Sequence, residues 1–197
     1  MKAGLVVLAV VALAAFVALG WFVSVRNDLV AREQAVREAW AQVQNVYQRR
    51  ADLIPNLVET VKGFAAQERT VLEEVTRARA SVAGLQITPE VLRDPEALKK
   101  FQEAQAQLGG ALGRLLAVVE RYTDLKSNQN FLTLQSQLEG TENRIAVERR
   151  RYNEAVRAYN TAVRRFPGSL VASLRGFSER PYFEATPGSE APPPVKF

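Results

Sequence analysis

Apolar residues recur by threes and fours from Val36 to Val82, through Val36, Trp40, Val43, Tyr47, Ile54, Leu57, Val61, Phe64, Val71, Val75, Ala78 and Val82. A stripe kept in phase over that distance predicts a long helix with one continuous packing face. Arg50 and Glu68 interrupt it. A single helix cannot cover its own stripe, so the rest of the fold is expected to be helices that pack against it. The one irregularity is Asp52-Leu53-Ile54-Pro55-Asn56. In a continuous helix Pro55 removes the hydrogen bond to residue 51 and bends the axis. Alternatively, Asp52 caps a new helix with Pro55 in its first turn. No glycine or polar loop accompanies the proline, so a kink is expected rather than a turn back, with the helix running on to about Val82.

Leu85 to Arg93 reads as a loop around Thr88-Pro89-Glu90. Asp94-Pro95-Glu96 is a start signal, an N-cap acid followed by proline at the first helical position. From there Leu98, Phe101, Gln105, Leu108, Leu112, Leu115, Val119 and Tyr122 keep the helical period. Gly109, Gly110 and Gly113 weaken this helix by about 0.8–1 kcal/mol each relative to Ala and are read as places for a close backbone approach. After a short connection at 125–130, a third stripe runs from Phe131 through Leu138, Thr141, Ile145, Tyr152 and Tyr159 to Phe166, and Pro167-Gly168 stops it. The expected fold is all-α, an elongated up-and-down helical bundle of three long helices with the first kinked at Pro55, or four if it splits there. Leu170, Val171, Leu174, Phe177, Tyr182 and Phe183 are too apolar for a free tail and are expected to form a short helix and an extended strap.

Leu5 to Val25 carries no charge and as a helix spans about 31 Å, the thickness of a bilayer's hydrocarbon layer. It reads as a retained single-pass transmembrane anchor, with Trp21 and Phe22 at the interface. A cleaved signal peptide ending near Ala18-Leu19-Gly20 is the competing reading. The Lys/Arg count places the bundle in the cytoplasm, whereas signal-anchor logic places it on the other side. The domains are therefore 1–25 anchor, 26–184 bundle and 185–197 a Pro-rich tail expected to be disordered. The expected location is the cell membrane. A helix spanning 26 to 82 would outreach the second helix, leaving an apolar edge around Leu29, Val36 and Trp40. That edge needs a second copy of the chain, a lipid surface or the longer last helix.

The 197-residue sequence contains neither Cys nor His, so disulfides, thiolate metal sites and His-based catalysis are absent. Its net charge of +5 is read as a solvated surface. Arg149-Arg150-Arg151, Arg157 and Arg164-Arg165 make the last helix basic without aromatic interleaving or a recognition motif, so no nucleic-acid partner is expected. Charges on apolar stripes are rarely left unpaired. Arg50, Glu68 and Glu148 sit on stripes, with Glu142 and Arg144 close by. The candidate cluster is Arg50, Asp52, Pro55, Glu59, Glu68, Glu142, Arg144 and Glu148, read as an internal Arg–carboxylate network near Pro55. A metal site from Glu59, Glu68, Glu142 and Glu148 is the weaker alternative, since the Glu-x-x-His ligands of di-iron bundles are missing. No catalytic residue and no cofactor is assigned.

The segment Gln48-Arg49-Arg50-Ala51-Asp52-Leu53-Ile54-Pro55-Asn56-Leu57-Val58-Glu59 resembles the signature of the bacterial LemA family. Tyr122-Thr123-Asp124-Leu125-Lys126-Ser127-Asn128, Leu138-Glu139-Gly140-Thr141-Glu142-Asn143 and Arg151-Tyr152-Asn153-Glu154 extend the resemblance, as does Gly176-Phe177 followed by Pro181-Tyr182-Phe183. Ala51, where the family often carries Tyr or Phe, and Thr123, where Pro is common, depart from it. The resemblance implies a single-pass membrane protein with a helical-bundle domain, related to a protein of magnetosome membranes, without established enzymatic activity. The expected role is a membrane-anchored scaffold or adaptor that presents its bundle to an unidentified membrane or envelope protein or to a second copy of itself. The alternatives are an accessory or regulatory subunit of a membrane protease or envelope enzyme, and a carboxylate-metal enzyme.

Overall fold

A computed structural model describes residues 2–85 and 92–184, which form six helices and no strand. The helices are α1 (Lys2–Phe64), α2 (Arg69–Ala83), α3 (Pro95–Val119), α4 (Thr123–Lys126), α5 (Gln129–Arg164) and α6 (Gly168–Arg175). This is the all-α, up-and-down bundle that the stripes predict. Most of the loop expected at 85–93, and the tail from 185 onward, lie outside the described residues.

α1 is 63 residues long, about 95 Å at 1.5 Å per residue. Its apolar N-terminal part is long and apolar enough to cross a membrane, and none of that stretch is buried against protein. The same helix continues without a boundary through Pro55, so Asp52 does not start a new one; its carboxylate accepts from Gln48 Nε2 at 2.7 Å, one turn back.

The expectation of a helix running to Val82 is corrected. α1 ends at Phe64 and the chain turns back over 65–68. Arg79 on α2 donates to the Ala51 carbonyl at 3.0 Å, and Val82 lies beside Gln44 and Tyr47, so α2 runs antiparallel to α1. Locally, Gly63 in the last turn of α1 is the weak helix former. The turn is held from elsewhere: Gln67 Nε2 donates to the Tyr122 hydroxyl, which donates to Glu68 Oε1, both at 2.9 Å. Ala65 is fully buried beneath the turn.

α3 begins as its sequence demands, with the Asp94 carboxylate accepting from Glu96 N and Pro95 at the first position. It runs antiparallel to α2, with Arg114 reaching Glu74. After α4, the Asn128 side chain caps α5 by accepting from the amides of Asn130 and Phe131. α5 descends along α1, with Arg50 opposite Glu142 and Trp40 against Tyr152. The order is up-down-up-down.

Two core segments follow. The end far from the apolar span is filled by Ile54, Leu57, Val61, Val75, Leu108, Leu115 and Leu138. The near end holds an aromatic centre in which Trp40 meets Phe101 edge-on at 5.7 Å and stacks on Phe183 at 5.9 Å. Leu29, Val36 and Trp40 are all buried there, against α5, α6 and the extended segment 177–184, so the edge that would have called for a second copy is already covered.

That extended segment is the expected strap. Asn153 and Asn160, two turns apart on α5, each hold its backbone with both ends of their amides. Asn160 pairs with the N–H and C=O of Arg180, and Asn153 with those of Phe183. Tyr152 and Tyr159 donate to the carbonyls of Pro181 and Ser178. Gly176, at φ 72°, closes α6 in the left-handed conformation that glycine adopts freely.

Candidate functional site

Three sides of the four-helix arrangement are closed by neighbouring helices in contact, but α3 and α5 are not in extended contact. A groove therefore runs between them. Its deeper part, about 360 Å³, is lined by Tyr47 and Arg50 from α1, Lys99, Gln102, Glu103 and Gly109 from α3, Glu142, Ile145 and Arg149 from α5, and Glu184 at the end of the strap. A second hollow continues along it between Gly109, Leu112, Gly113 and Leu116 on one side and Leu138 and Glu142 on the other.

The glycines were expected to admit a close backbone. Instead no atom lies within 4 Å of where a Cβ of Gly109 or Gly113 would be, and Gly110 meets only the Arg114 side chain. The lack of side chains at Gly109 and Gly113, which line the hollows, keeps the groove open there.

Arg50 forms its floor and is 3% exposed. Its Nη1 donates to Glu142 Oε1 at 2.7 Å, and its Nη2 donates to the Gln105 carbonyl oxygen at 3.3 Å and to the Gln105 side-chain oxygen. Nε has no partner among the described residues. The guanidinium also lies 5.1 Å from the centre of the Tyr47 ring. Burial raises the pKa of the Tyr47 hydroxyl above its ordinary value, against the opposing pull of Arg149 and Arg50, so Tyr47 stays a neutral donor. The walls carry Lys99 and Arg149 against Glu103, Glu142 and Glu184. The groove thus offers an apolar bed and mixed-sign walls over a buried arginine.

The rest of the sequence-derived cluster does not converge there. Pro55 and Arg144 are exposed. Glu59 is an exposed partner of Lys62 on its own helix. Glu68 is at the far end of the bundle, bonded to Tyr122 and Arg121. Glu148 pairs with Arg151 at 2.8 Å, one turn along α5. Of the proposed network the Arg50–Glu142 link is formed, and among the described residues no three carboxylates come close enough to share a metal ion.

The LemA family model matches residues 39–197. The chain belongs to the LemA family. The matched region contains the whole groove. Magnetosome protein MamQ of Magnetospirillum gryphiswaldense is 28% identical over 182 residues, which cover 84% of this chain and 67% of that protein. Magnetosome protein MamQ 2 of Paramagnetospirillum magneticum is 28% identical, with 95% of this chain and 74% of that protein covered. Protein LemA of Metamycoplasma hominis is 21% identical, with 84% of this chain and 71% of that protein covered. None of these names denotes an enzyme.

A second polar centre in this LemA-family chain lies nearer the apolar span, and the stripes do not reveal it. Arg180 from the strap, 4% exposed in its side chain, is paired with Glu33 on α1. Glu33 also faces Arg37 at 3.4 Å and Arg93 at 3.7 Å. The Arg180 guanidinium stands 5.7 Å from the centre of the Tyr159 ring. The basic run of α5 serves the same strap. Arg149 donates to the Glu184 carbonyl and lies over Phe183, and Arg164 grips both oxygens of Glu179.

Proposed function

We propose that this protein is a membrane-anchored, non-enzymatic scaffold or adaptor that presents the groove between α3 and α5 to an extended or helical segment of a protein partner. The observation that carries this reading is the floor of the groove. There a buried arginine is held by Glu142 and Gln105 beneath an open groove whose walls carry charges of both signs. Such a site suits a chain segment with apolar side chains for the bed and polar groups for the walls, the groove mode of peptide recognition. The anchor supplies the second half of the reading. α1 is one helix from the apolar span into the bundle, so the Arg50 level stands about 38 Å beyond Val25 at 1.5 Å per residue. That stand-off suits the reach of a membrane or envelope protein. An accessory or regulatory subunit of a membrane protease or envelope enzyme would use the same surface and differ only in its partner.

Photo-crosslinking in native membranes tests the reading. A photoreactive residue at Gln102 on the groove wall is expected to give a discrete adduct. One at Glu73, exposed on α2 away from the groove, is expected to give none. An adduct containing two differently tagged copies of this chain would identify the partner as a second copy. Equal yields at the two positions would overturn the groove as the presenting surface.

A further inference from the structure

We propose that the exposed face of α6 is a second membrane contact, seated among the headgroups and upper acyl chains of the leaflet that α1 enters. The proposal rests on the anchor reading above. Leu170 and Leu174 form a row one helical turn apart on α6, 48% and 66% exposed, and Phe166, in the turn just before the helix, adds a third apolar side chain that is 78% exposed. The opposite side of α6 is spent on the core, where Val171 and Ala172 are buried, so the row has no bundle surface left to turn toward. Gly168 fixes that orientation. A Cβ there would stand 2.0 Å from the Ala162 carbonyl oxygen, so α6 starts in backbone contact with α5.

The position of the row selects the occupant. The Phe166 ring lies 6.3 Å from the Trp21 ring, and the Arg175 guanidinium lies 5.6 Å from the centre of Phe22. Trp21 and Phe22 stand where the apolar span meets the bundle, the level that interfacial aromatic residues occupy. Val30, Phe64, Leu132 and Tyr182 are also exposed beyond the span, but their sequence positions form no comparable row. The charges agree with a lipid surface. Arg165 and Arg175 bracket the row, Arg26 is one turn beyond Phe22 on α1, and residues 165–178 include no acidic side chain. An apolar ridge with arginines at its rim is the composition of an interfacial helix, with the guanidinium groups reaching lipid phosphates.

The chain has no cysteine, which permits a direct test in the full-length protein. Single cysteines replacing Leu174, Leu13 and Arg157 would each carry a polarity-sensitive fluorophore in vesicles of phosphatidylcholine with phosphatidylglycerol. We expect the Leu174 label to be quenched by lipid-attached nitroxide at shallow depth, the Leu13 label by deep nitroxide, and the Arg157 label only by aqueous iodide. If Leu13 reports lipid while Leu174 behaves like Arg157, the α6 contact is overturned and the anchor stands. A Leu174 label shielded from both quenchers means that protein covers the row, which also overturns the proposal. A Leu13 label open to iodide overturns the anchor reading and this inference with it.

Discussion

Arg50 and Glu142 join α1 to α5 through a 2.7 Å ion pair in which only one partner is buried, the Arg50 side chain being 4% exposed and that of Glu142 46%. The asymmetry decides what the pair contributes. Deprived of Arg50, the Glu142 carboxylate turns to water, so the large penalty for stranding a buried charge does not arise there.

The group stranded by Arg50→Ala is Gln105, 5% exposed and bonded to the guanidinium through its side-chain oxygen. Leaving one buried polar group unmet costs about 1–3 kcal/mol, and we expect that loss in denaturant titrations of the full chain in detergent. Arg50→Met combined with Gln105→Leu should recover most of it, because nothing polar is then left buried without a partner. A single variant as stable as the parent would assign Arg50 to binding rather than to the fold.

Glu33 should behave differently. It is 14% exposed in its side chain and its partner Arg180 is 4% exposed, so both charges are removed from water. Glu33→Gln leaves Arg180 buried with a neutral neighbour, a situation that costs about 3–5 kcal/mol. The same titrations are expected to rank Glu33→Gln well below Glu142→Gln in stability. The reverse order would mean that Arg93, Arg37 and water already screen the Arg180 pair.

The strap should loosen in acid. Arg164, by hydrogen bonding to Glu179, holds that carboxylate below its usual pKa of 4.5. A depressed folded-state value means stability that is present above the ordinary glutamate pKa and is lost as pH falls through the folded one, so the window lies below about pH 4.5. Both side chains are well exposed, and the effect is confined to strap docking. Hydrogen exchange at the Arg180 and Phe183 amides, corrected for its intrinsic pH dependence, should accelerate there. Glu179→Gln should abolish the pH step and leave exchange fast at neutral pH. An unchanged rate in that variant would mean that Asn153, Asn160 and the other contacts of α5 and α1 hold the strap without the Arg164–Glu179 pair.

What was legible in the sequence follows from how local each signal is. Asp94-Pro95 and Pro167-Gly168 act on their own neighbours, and the boundaries they announce lie where α3 begins and close to where α5 ends, whereas the connection expected at 125–130 is taken up by α4 and the start of α5. The turn at 65–68 depends on Tyr122, which reaches Gln67 and Glu68 from the far side of α3. No pattern within the stretch encodes that contact. The stripe of α2 also stays in phase with that of α1, and periodicity counts positions without recording direction. The Arg50 site was readable as charges on two apolar stripes. Gln105 passed as one more stripe position among leucines. Glu33 lies on the buried face between Leu29 and Val36, before the place where the stripe was taken to start, and Arg180 is on an extended segment with no period at all.

Pro55 and Arg79 supply the most discriminating test of the fold. Proline has no N–H, so the Ala51 carbonyl, four residues earlier in α1, loses the donor a regular helix would give it. Arg79 Nε occupies that place at 3.0 Å, bringing α2 onto α1 at the turn that the proline disturbs. On this account the two residues are coupled. Arg79→Ala should destabilise the parent by about 0.5–1.5 kcal/mol, the net worth of one hydrogen bond. In a Pro55→Ala background the restored amide already serves the carbonyl, and the same substitution should then remove only the packing of the Arg79 stem. The double-mutant cycle subtracts that packing and isolates the coupling, which residues sharing one hydrogen-bond acceptor are expected to place at about 0.5 kcal/mol or more. Strictly additive effects would mean that water, rather than Arg79, satisfies the orphaned carbonyl, and that α2 is held against α1 by Leu72, Val75 and Val82 alone.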